Sequence, residues 1–136
     1  MGKKNYFPKY GIETNLPVYV YGVGIGHDQE TIARINYPHC IQLHLTVNGC
    51  GIAMIDGKRH MLPPGTMLYT PPVKWQIIRP TPSGWIDNWI CIDIPDVREK
   101  DLAALSLGTE PKVLRPENPG EFAKLYESVG RSLTSN

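Results

Sequence analysis

The fold is decided between residues 41 and 94, which read IQLHLTVNGCGIAMIDGKRHMLPPGTMLYTPPVKWQIIRPTPSGWIDNWICIDI. Apolar and polar residues alternate from Ile41 to Val47, and a period of two is typical of a strand with one buried face. Asn48-Gly49 and Asp56-Gly57 each stand between apolar runs, and both dipeptides favour two-residue hairpin turns. We therefore predict an antiparallel meander with a hairpin at each of these dipeptides.

The last strand of this stretch, predicted over Trp85–Ile94 after a loop at Pro80–Gly84, carries the candidate binding chemistry. Alternation places on one of its faces Trp85, Asp87, Trp89, Cys91 and Asp93. An indole ring beside a carboxylate offers an apolar platform and a hydrogen-bond acceptor, which suit a sugar or a cation. Core packing is the equal alternative for each tryptophan, because large aromatic side chains are usually buried.

The flanks of this stretch divide the chain into three parts. Residues 1–15 are polar with little apolar periodicity, so we expect a flexible N-terminal arm. Residues 16–95 hold the strands, and within them the glycine run at residues 22–28 (GVGIGHD) predicts a turn between strands and not a phosphate loop. Residues 96–136 change to helical patterning, which we interpret as a helical extension.

Two helices are predicted in this extension. Arg98–Leu107 has a helix-forming composition, and Asn118 can cap a second helix with Glu121 in capping-box register. The second helix has an apolar stripe formed by Phe122, Leu125, Tyr126, Val129 and Leu133. The stripe packs either on the chain's own sheet or on the same helix of a partner, and we predict a homodimer that uses the first four of these residues.

Composition and charge exclude several classes of partner. The chain has 136 residues and a formal net charge of +1, so no charge argument favours nucleic acid or an anionic membrane. No apolar run approaches the roughly 20 residues of a membrane span, and no secretion signal is recognisable. The three cysteines, Cys40, Cys50 and Cys91, form no C-x-x-C pair, so we predict reduced thiols in a cytoplasmic protein.

Metal and acid–base chemistry have little support in the sequence. His39 and His44 are of opposite parity, whereas two metal ligands on one strand need the same parity. Asp87 and Asp93 share a strand face, but at about 3.3 Å per residue they are roughly 20 Å apart, too far for a glycosidase-like pair. We therefore predict no metal, no cofactor and no enzymatic activity.

Several motifs follow one another along most of the chain. They are R-x(14)-G-x-G from Arg34 to Gly51, the segment IDGKRHMLPPGTMLYTPP, and the W-x(3)-W strand GWIDNWICI. This order, across residues 16–134, resembles the N-terminal ligand-binding domain of AraC-type transcription regulators. The resemblance implies a mainly β fold, a cupin-like antiparallel β-barrel (jelly-roll) followed by C-terminal α-helices. It also implies that DNA is contacted only through a helix-turn-helix domain missing from this chain.

The resemblance further implies a ligand site. In the arabinose-binding member of the family an arginine before the hairpin contacts the sugar, and Arg34 matches it. The second tryptophan of W-x(3)-W stacks on the sugar and matches Trp89, and the residue two before it, here Asp87, faces the ligand. His44 and Trp85 complete the candidate ligand-binding set.

These observations give one leading function and two alternatives. The leading expectation is an effector-binding and dimerisation domain that senses a small molecule, with a sugar as the candidate. The second is a small cupin enzyme, an isomerase or a metal-dependent dioxygenase. Related metal-binding cupins have a Glu near Gln42 and a His near Gln76, and the resemblance therefore implies that these metal ligands are lost here. The third is a structural or interaction domain with a filled barrel.

Overall fold

The computed structural model describes residues 3–7, 19–34, 40–55, 57–71, 76–93, 108 and 110–134. In these residues eight strands form one antiparallel sheet, and helix α1 (Pro119–Thr134) packs on one side of it. The strands are β1 (Lys4–Tyr6), β2 (Tyr19–Asp28), β3 (Ile32–Arg34), β4 (Cys40–Ile55), β5 (Lys58–Leu62), β6 (Met67–Thr70), β7 (Gln76–Asp93) and β8 (Lys112–Leu114). The sheet order is β1-β2-β7-β4-β6-β8, with β3 added to β7 and β5 added to β4. This is the predicted mainly β, jelly-roll type of fold with a C-terminal helix.

The long strands β4 and β7 form the centre of the sheet. They pair from Cys40 opposite Asp93 to Met54 opposite Ile77, so each strand runs through positions that the sequence assigns to turns. The predicted hairpin at Asn48-Gly49 is wrong, because β4 continues through it and slips its register against β7 on both sides. The predicted loop at Pro80–Gly84 is likewise wrong, because β7 continues through it.

Glycine explains why a turn-like dipeptide lies inside β4. Gly49 has φ 71°, the conformation of a bulge residue, and the register slips on both sides of it. A Cβ at position 49 would overlap the backbone of Gly84 in β7, so the two strands approach each other at this point without a side chain between them. Gly51 in turn lies under the ring of Trp85, where a Cβ would come within 2.8 Å of the indole. The G-x-G motif therefore serves close packing on β7.

Other expectations have mixed outcomes. The hairpin at Asp56-Gly57 is confirmed, because Ile55 pairs with Lys58 and Gly57 has φ 74°. The glycine run at residues 22–28 does not form a turn but belongs to β2. Residues 4–6 of the expected arm form β1, which pairs with β2, and the helix predicted over Arg98–Leu107 lies outside the described residues.

The two sides of the sheet have different cores. On the helix side the buried cluster comprises Val23, Ile25, Leu45, Met67 and Tyr126 of α1. On the opposite side it comprises Ala53, Leu62, Leu68, Ile78 and Trp85. This division follows from strand alternation, since neighbouring residues such as Met67 and Leu68 lie on opposite sides of the sheet.

Helix α1 begins as the sequence predicts. The Asn118 carbonyl accepts from the Glu121 and Phe122 amides, and Pro119 occupies the first helical position, where its missing N–H is not needed. Part of the apolar stripe packs on the chain's own sheet, since Tyr126 is buried and Val129 packs against the buried cluster, whereas Phe122 and Leu125 remain exposed. Among the described residues, no helix combines the length and the apolar character that a membrane crossing requires.

The prediction of three reduced thiols is wrong for two of the cysteines. Cys40 and Cys91 form a disulfide across β4 and β7, with their Cα atoms 6.4 Å apart. Sequence spacing could not reveal this pair, because the two cysteines are 51 positions apart and are brought together only by the register of the two central strands. Cys50 is a free, half-buried cysteine.

Candidate functional site

A buried polar network lies on the side of the sheet opposite α1. Asp87 of β7 is fully buried, and its two carboxylate oxygens accept from Gln29 Nε2 at 2.8 Å and from His44 Nδ1 at 2.7 Å. The other ring nitrogen of His44 lies 3.2 Å from Gln42 Oε1. Each polar group thus has a partner, as burial requires. The structure therefore brings together the predicted site residues Asp87 and His44, but as an internally bonded pair.

Trp85 is a core residue in this structure. Its side chain is 0% exposed, and its indole N–H donates to Thr46 Oγ1 at 2.9 Å. Its ring also lies 5.9 Å from the ring of His44, so the two predicted site residues are in contact beneath the surface. Trp85 is therefore a buried packing residue beneath the site.

Trp89 occupies a different environment. It is half-buried, and its indole lies directly on Gly24 of the neighbouring strand β2, where a Cβ would overlap the ring. The ring centroid is 6.4 Å from that of Phe7 and 5.6 Å from that of His27, which meets it edge-on. Phe7 is itself 47% exposed and touches Tyr21. An aromatic surface that is open to solvent thus surrounds Trp89, above the Asp87 network.

His27 links this aromatic surface to the N-terminal strand. Its ring hydrogen-bonds to Asn5 Oδ1 of β1, and in the sheet it stands opposite Asp87. Burial lowers the pKa of His27, and nearby Lys3 lowers it further, against the smaller opposite effect of Asp87. The imidazole is therefore held toward its neutral form.

For Arg34 the structure describes only the position of the backbone. It ends β3, opposite Gln76 at the first position of β7, while Trp89 lies near the other end of that strand. The side chain of Arg34 lies outside the described part of the structure. Its predicted contact with a ligand stays a prediction.

Sequence reasoning missed three residues that form the site. Phe7 lies in the stretch predicted as a flexible arm, Gly24 belongs to the glycine run predicted as a turn, and Gln29 follows that run. The only available signal was the spacing of Gly22 and Gly24, two glycines on one face of a strand. Such a pair indicates close packing of a ring, and here Phe7 covers the first and Trp89 the second.

A second candidate surface is an apolar groove between α1 and the sheet. It has a volume of about 200 Å³ and is lined by Leu43, Met67, Ile90, Phe122, Leu125, Tyr126 and Val129. Tyr126 is only 4% exposed, its hydroxyl donates to the Leu43 carbonyl at 2.9 Å, and burial raises its pKa. Phe122 and Leu125 remain 38% and 56% exposed. Of the four residues predicted for dimerisation, these two are therefore the most available to a partner.

Within the residues that the structure describes, no three His, Cys, Asp or Glu side chains come together as metal ligands.

The fold and the site define a class of protein. A jelly-roll type sheet with a helix packed on one side is the architecture of the cupin class of folds. The chain belongs to the AraC-like ligand binding domain family, whose model matches residues 18–135. Comparison with curated protein sequences finds no match.

Solved structures share the fold at low sequence identity. YhaK from Escherichia coli is similar with a TM-score of 0.56 at 12% identity, over 85% of this chain and 52% of that one. An apo variant of ToxT from Vibrio cholerae is similar with a TM-score of 0.51 at 8% identity, over 84% of this chain and 48% of ToxT. A cupin domain of an XRE family transcriptional regulator from Enterobacter cloacae has a TM-score of 0.48 at 17% identity, over 70% of this chain and 97% of that one.

Proposed function

We propose that this chain is the effector-binding and dimerisation domain of a transcription regulator that works in the cytoplasm. Residues 16–95 would form the binding unit, and residues 96–136 the helical extension that pairs with a second copy. DNA would be contacted by helix-turn-helix units and not by the sheet, in line with the net charge of +1. The proposal rests on the family and on one observation, the half-open indole of Trp89.

The effector is proposed to be a small molecule that stacks on Trp89, with a sugar as the first class to test. One face of the indole is covered by Gly24, so the ring is fixed, and a fixed ring loses little conformational freedom when a ligand binds. Arg34 would supply a guanidinium to the ligand. Asp87 would not contact the effector directly but would position Gln29, because both of its carboxylate oxygens are already hydrogen-bonded inside the protein.

The N-terminal strand offers a route from the effector to the helix. Tyr6 and Phe7 are neighbours in sequence, yet Phe7 contacts Trp89 while Tyr6 lies on α1, with its hydroxyl donating to Glu127 at 2.8 Å. A ligand that displaces Phe7 from Trp89 would shift β1 and so change the contact on α1. Because α1 also carries the exposed Leu125, the same shift would bias dimerisation.

Titration calorimetry with a panel of sugars tests this function. Wild type should release or absorb heat with at least one sugar, and Trp89→Ala should bind it more weakly by about 1–3 kcal/mol, the range for an aromatic platform. Leu114→Ala is the control, an exposed apolar residue on β8, which β4 and β6 separate from the strand of Trp89. Equal heats for wild type and Trp89→Ala, or no heat with any sugar, would contradict the proposal.

Binding without catalysis is part of the same proposal. The alternative is a metal-dependent cupin enzyme, and elemental analysis of the purified protein separates the two. A stoichiometric content of iron, zinc or manganese would favour the enzyme, whereas a metal content well below stoichiometry would favour the sensor.

A further inference from the structure

The Cys40–Cys91 disulfide lies at one end of the central ladder. Cys40 is the first residue of β4, and its direct partner Asp93 is the last residue of β7, so the bridge closes the end of this pair of strands. The two cysteines are 6% and 3% exposed. By strand alternation they lie on the same side of the sheet as His44 and Trp89.

The bridge is close to both parts of the candidate site. Cys91 is paired with Gln42 of β4, whose side chain contacts His44, and with Gly22 of β2, which lies under Phe7. Two residue pairs further along, the Tyr19 hydroxyl donates to Asp93 at 2.7 Å. The disulfide therefore lies where the polar network, the aromatic surface and the end of the β4–β7 ladder meet.

We infer that Cys40 and Cys91 form a reversible thiol–disulfide switch that determines whether this end of the effector site is conformationally ordered. The inference uses the cytoplasmic location proposed above, because a disulfide in a reducing compartment is usually transient and redox-sensing. Its partner is a low-molecular-weight disulfide such as oxidised glutathione. Reduction opens the ladder end and releases Gln42 and Asp93, and oxidation closes it again.

The chemistry balances as two exchange steps. The thiolate of one cysteine attacks a sulfur of oxidised glutathione, which forms a mixed disulfide and expels one glutathione thiolate. The second cysteine then attacks the protein sulfur of that mixed disulfide, so the Cys40–Cys91 bond forms and the second glutathione leaves. The protein loses two electrons and two protons, and the disulfide reagent becomes two thiols.

The location at a strand end makes this exchange accessible. Buried cysteines react only when the structure opens locally, and opening is least costly where a ladder ends. Within the described residues, Cys40 is the first of β4, and Ile92 and Asp93 are the two that follow Cys91 in β7. Fraying of these few residues exposes both sulfur atoms while the rest of the ladder stays paired.

Glutathione buffers of defined ratio test the switch on the whole chain. Alkylation and intact-mass analysis should find one reactive thiol, that of Cys50, under oxidising conditions and three after reduction by glutathione without denaturant. Amide hydrogen exchange at residues 40–42 and 91–93 should become at least tenfold faster on reduction. Cys50→Ser should show the same transition with one thiol fewer, whereas Cys40→Ser should exchange like the reduced wild type in both buffers.

Three results would overturn the switch. They are three reactive thiols in the oxidising buffer, a bridge that reduced glutathione cannot open in the folded protein, and reduction that leaves hydrogen exchange at the ladder end unchanged. The wild-type measurements need no variant, so a misfolded Cys40→Ser leaves the test intact. The measurements also need no effector, so their failure leaves the sensor proposal standing, and the failure of the sugar titration leaves the switch standing.

Discussion

The ring of Tyr6 lies directly on Gly130, in the middle of the buried side of α1. A Cβ at position 130 would overlap the tyrosine ring, so glycine is what allows β1 to approach the helix. Glycine is otherwise unfavourable in a helix interior, by about 1 kcal/mol relative to alanine. Its presence in the helix therefore indicates that the contact with β1 is worth more than the helix propensity that is lost.

Gly130→Ala is predicted to destabilise the protein although it improves helix propensity. Overpacking costs about 1–3 kcal/mol and alanine regains about 1 kcal/mol, so we expect a net loss of up to about 2 kcal/mol in urea denaturation. Gly120→Ala, on the same helix with no atom near its Cβ, should be neutral or stabilising. In a Tyr6→Ala background Gly130→Ala should become stabilising as well. Equal effects of the two alanines in wild type would refute the contact.

The bond between Tyr6 and Glu127 predicts a pH dependence. The Tyr6 hydroxyl is the main reason that the pKa of Glu127 is lowered from 4.5, with Lys4 adding to the effect at 3.3 Å. Because the folded state holds the carboxylate ionised, this stabilisation is present above pH 4.5 and is lost as pH falls through the lowered pKa. The stability difference between wild type and Tyr6→Phe should therefore shrink from pH 6 to pH 3 in denaturation curves. A difference that stays constant over this range would exclude the linkage.

Local sequence signals predicted the fold where apolar and polar residues alternate along a strand and failed where the strands are bent. The alternation from Ile41 to Val47 and the cap at Asn118 correspond to β4 and α1. Asn48-Gly49 has the chemistry of a hairpin, but the backbone of Gly84 packs against Gly49, and this contact comes from a strand distant in sequence. Register between distant strands decides between a turn and a bulge, and no local pattern encodes it.

The candidate site was predicted in part for the same reason. Alternation along β7 grouped Asp87 with Trp89, and the structure keeps them on one side of the sheet. Their different environments depend on neighbours whose positions cannot be inferred from the sequence. Gln29 and His44 hydrogen-bond to Asp87, and Phe7 packs near Trp89. A sequence shows which side chains share a strand face, whereas exposure depends on what covers that face.

The hydrogen bond from Trp85 to Thr46 predicts a difference between two small substitutions. Thr46→Val keeps the shape of the side chain but leaves the fully buried indole N–H without an acceptor, which costs about 1–3 kcal/mol. Thr46→Ser keeps the hydroxyl and should lose clearly less. Urea denaturation of the two variants measures the difference, and a valine variant as stable as the serine variant would show that the indole finds another partner.

Asp87 and Asp93 lie on the same strand, and their removal is predicted to have unequal effects. Asp87→Ala leaves the buried His44 and the half-buried Gln29 without their acceptor, and each donor left unsatisfied in this way costs about 1–3 kcal/mol. Asp93→Ala removes one half-buried hydrogen bond from Tyr19, worth about 0.5–1.5 kcal/mol. Thermal or chemical denaturation distinguishes the two. Similar losses would mean that the Asp87 network does not stabilise the fold.

The groove on α1 predicts which single residue controls dimerisation. Leu125 is 56% exposed at the groove, so Leu125→Asp should leave the monomer folded but place a charge in the contact between two helices, where it would be desolvated without a partner. Light scattering should give a dimer for wild type and a monomer for Leu125→Asp, with unchanged circular dichroism. The control is Leu114→Asp on β8, a leucine 42% exposed outside the groove, which should stay dimeric. A wild type that is monomeric at micromolar concentration, or a Leu125→Asp variant that remains dimeric, would show that the stripe serves the chain's own sheet alone.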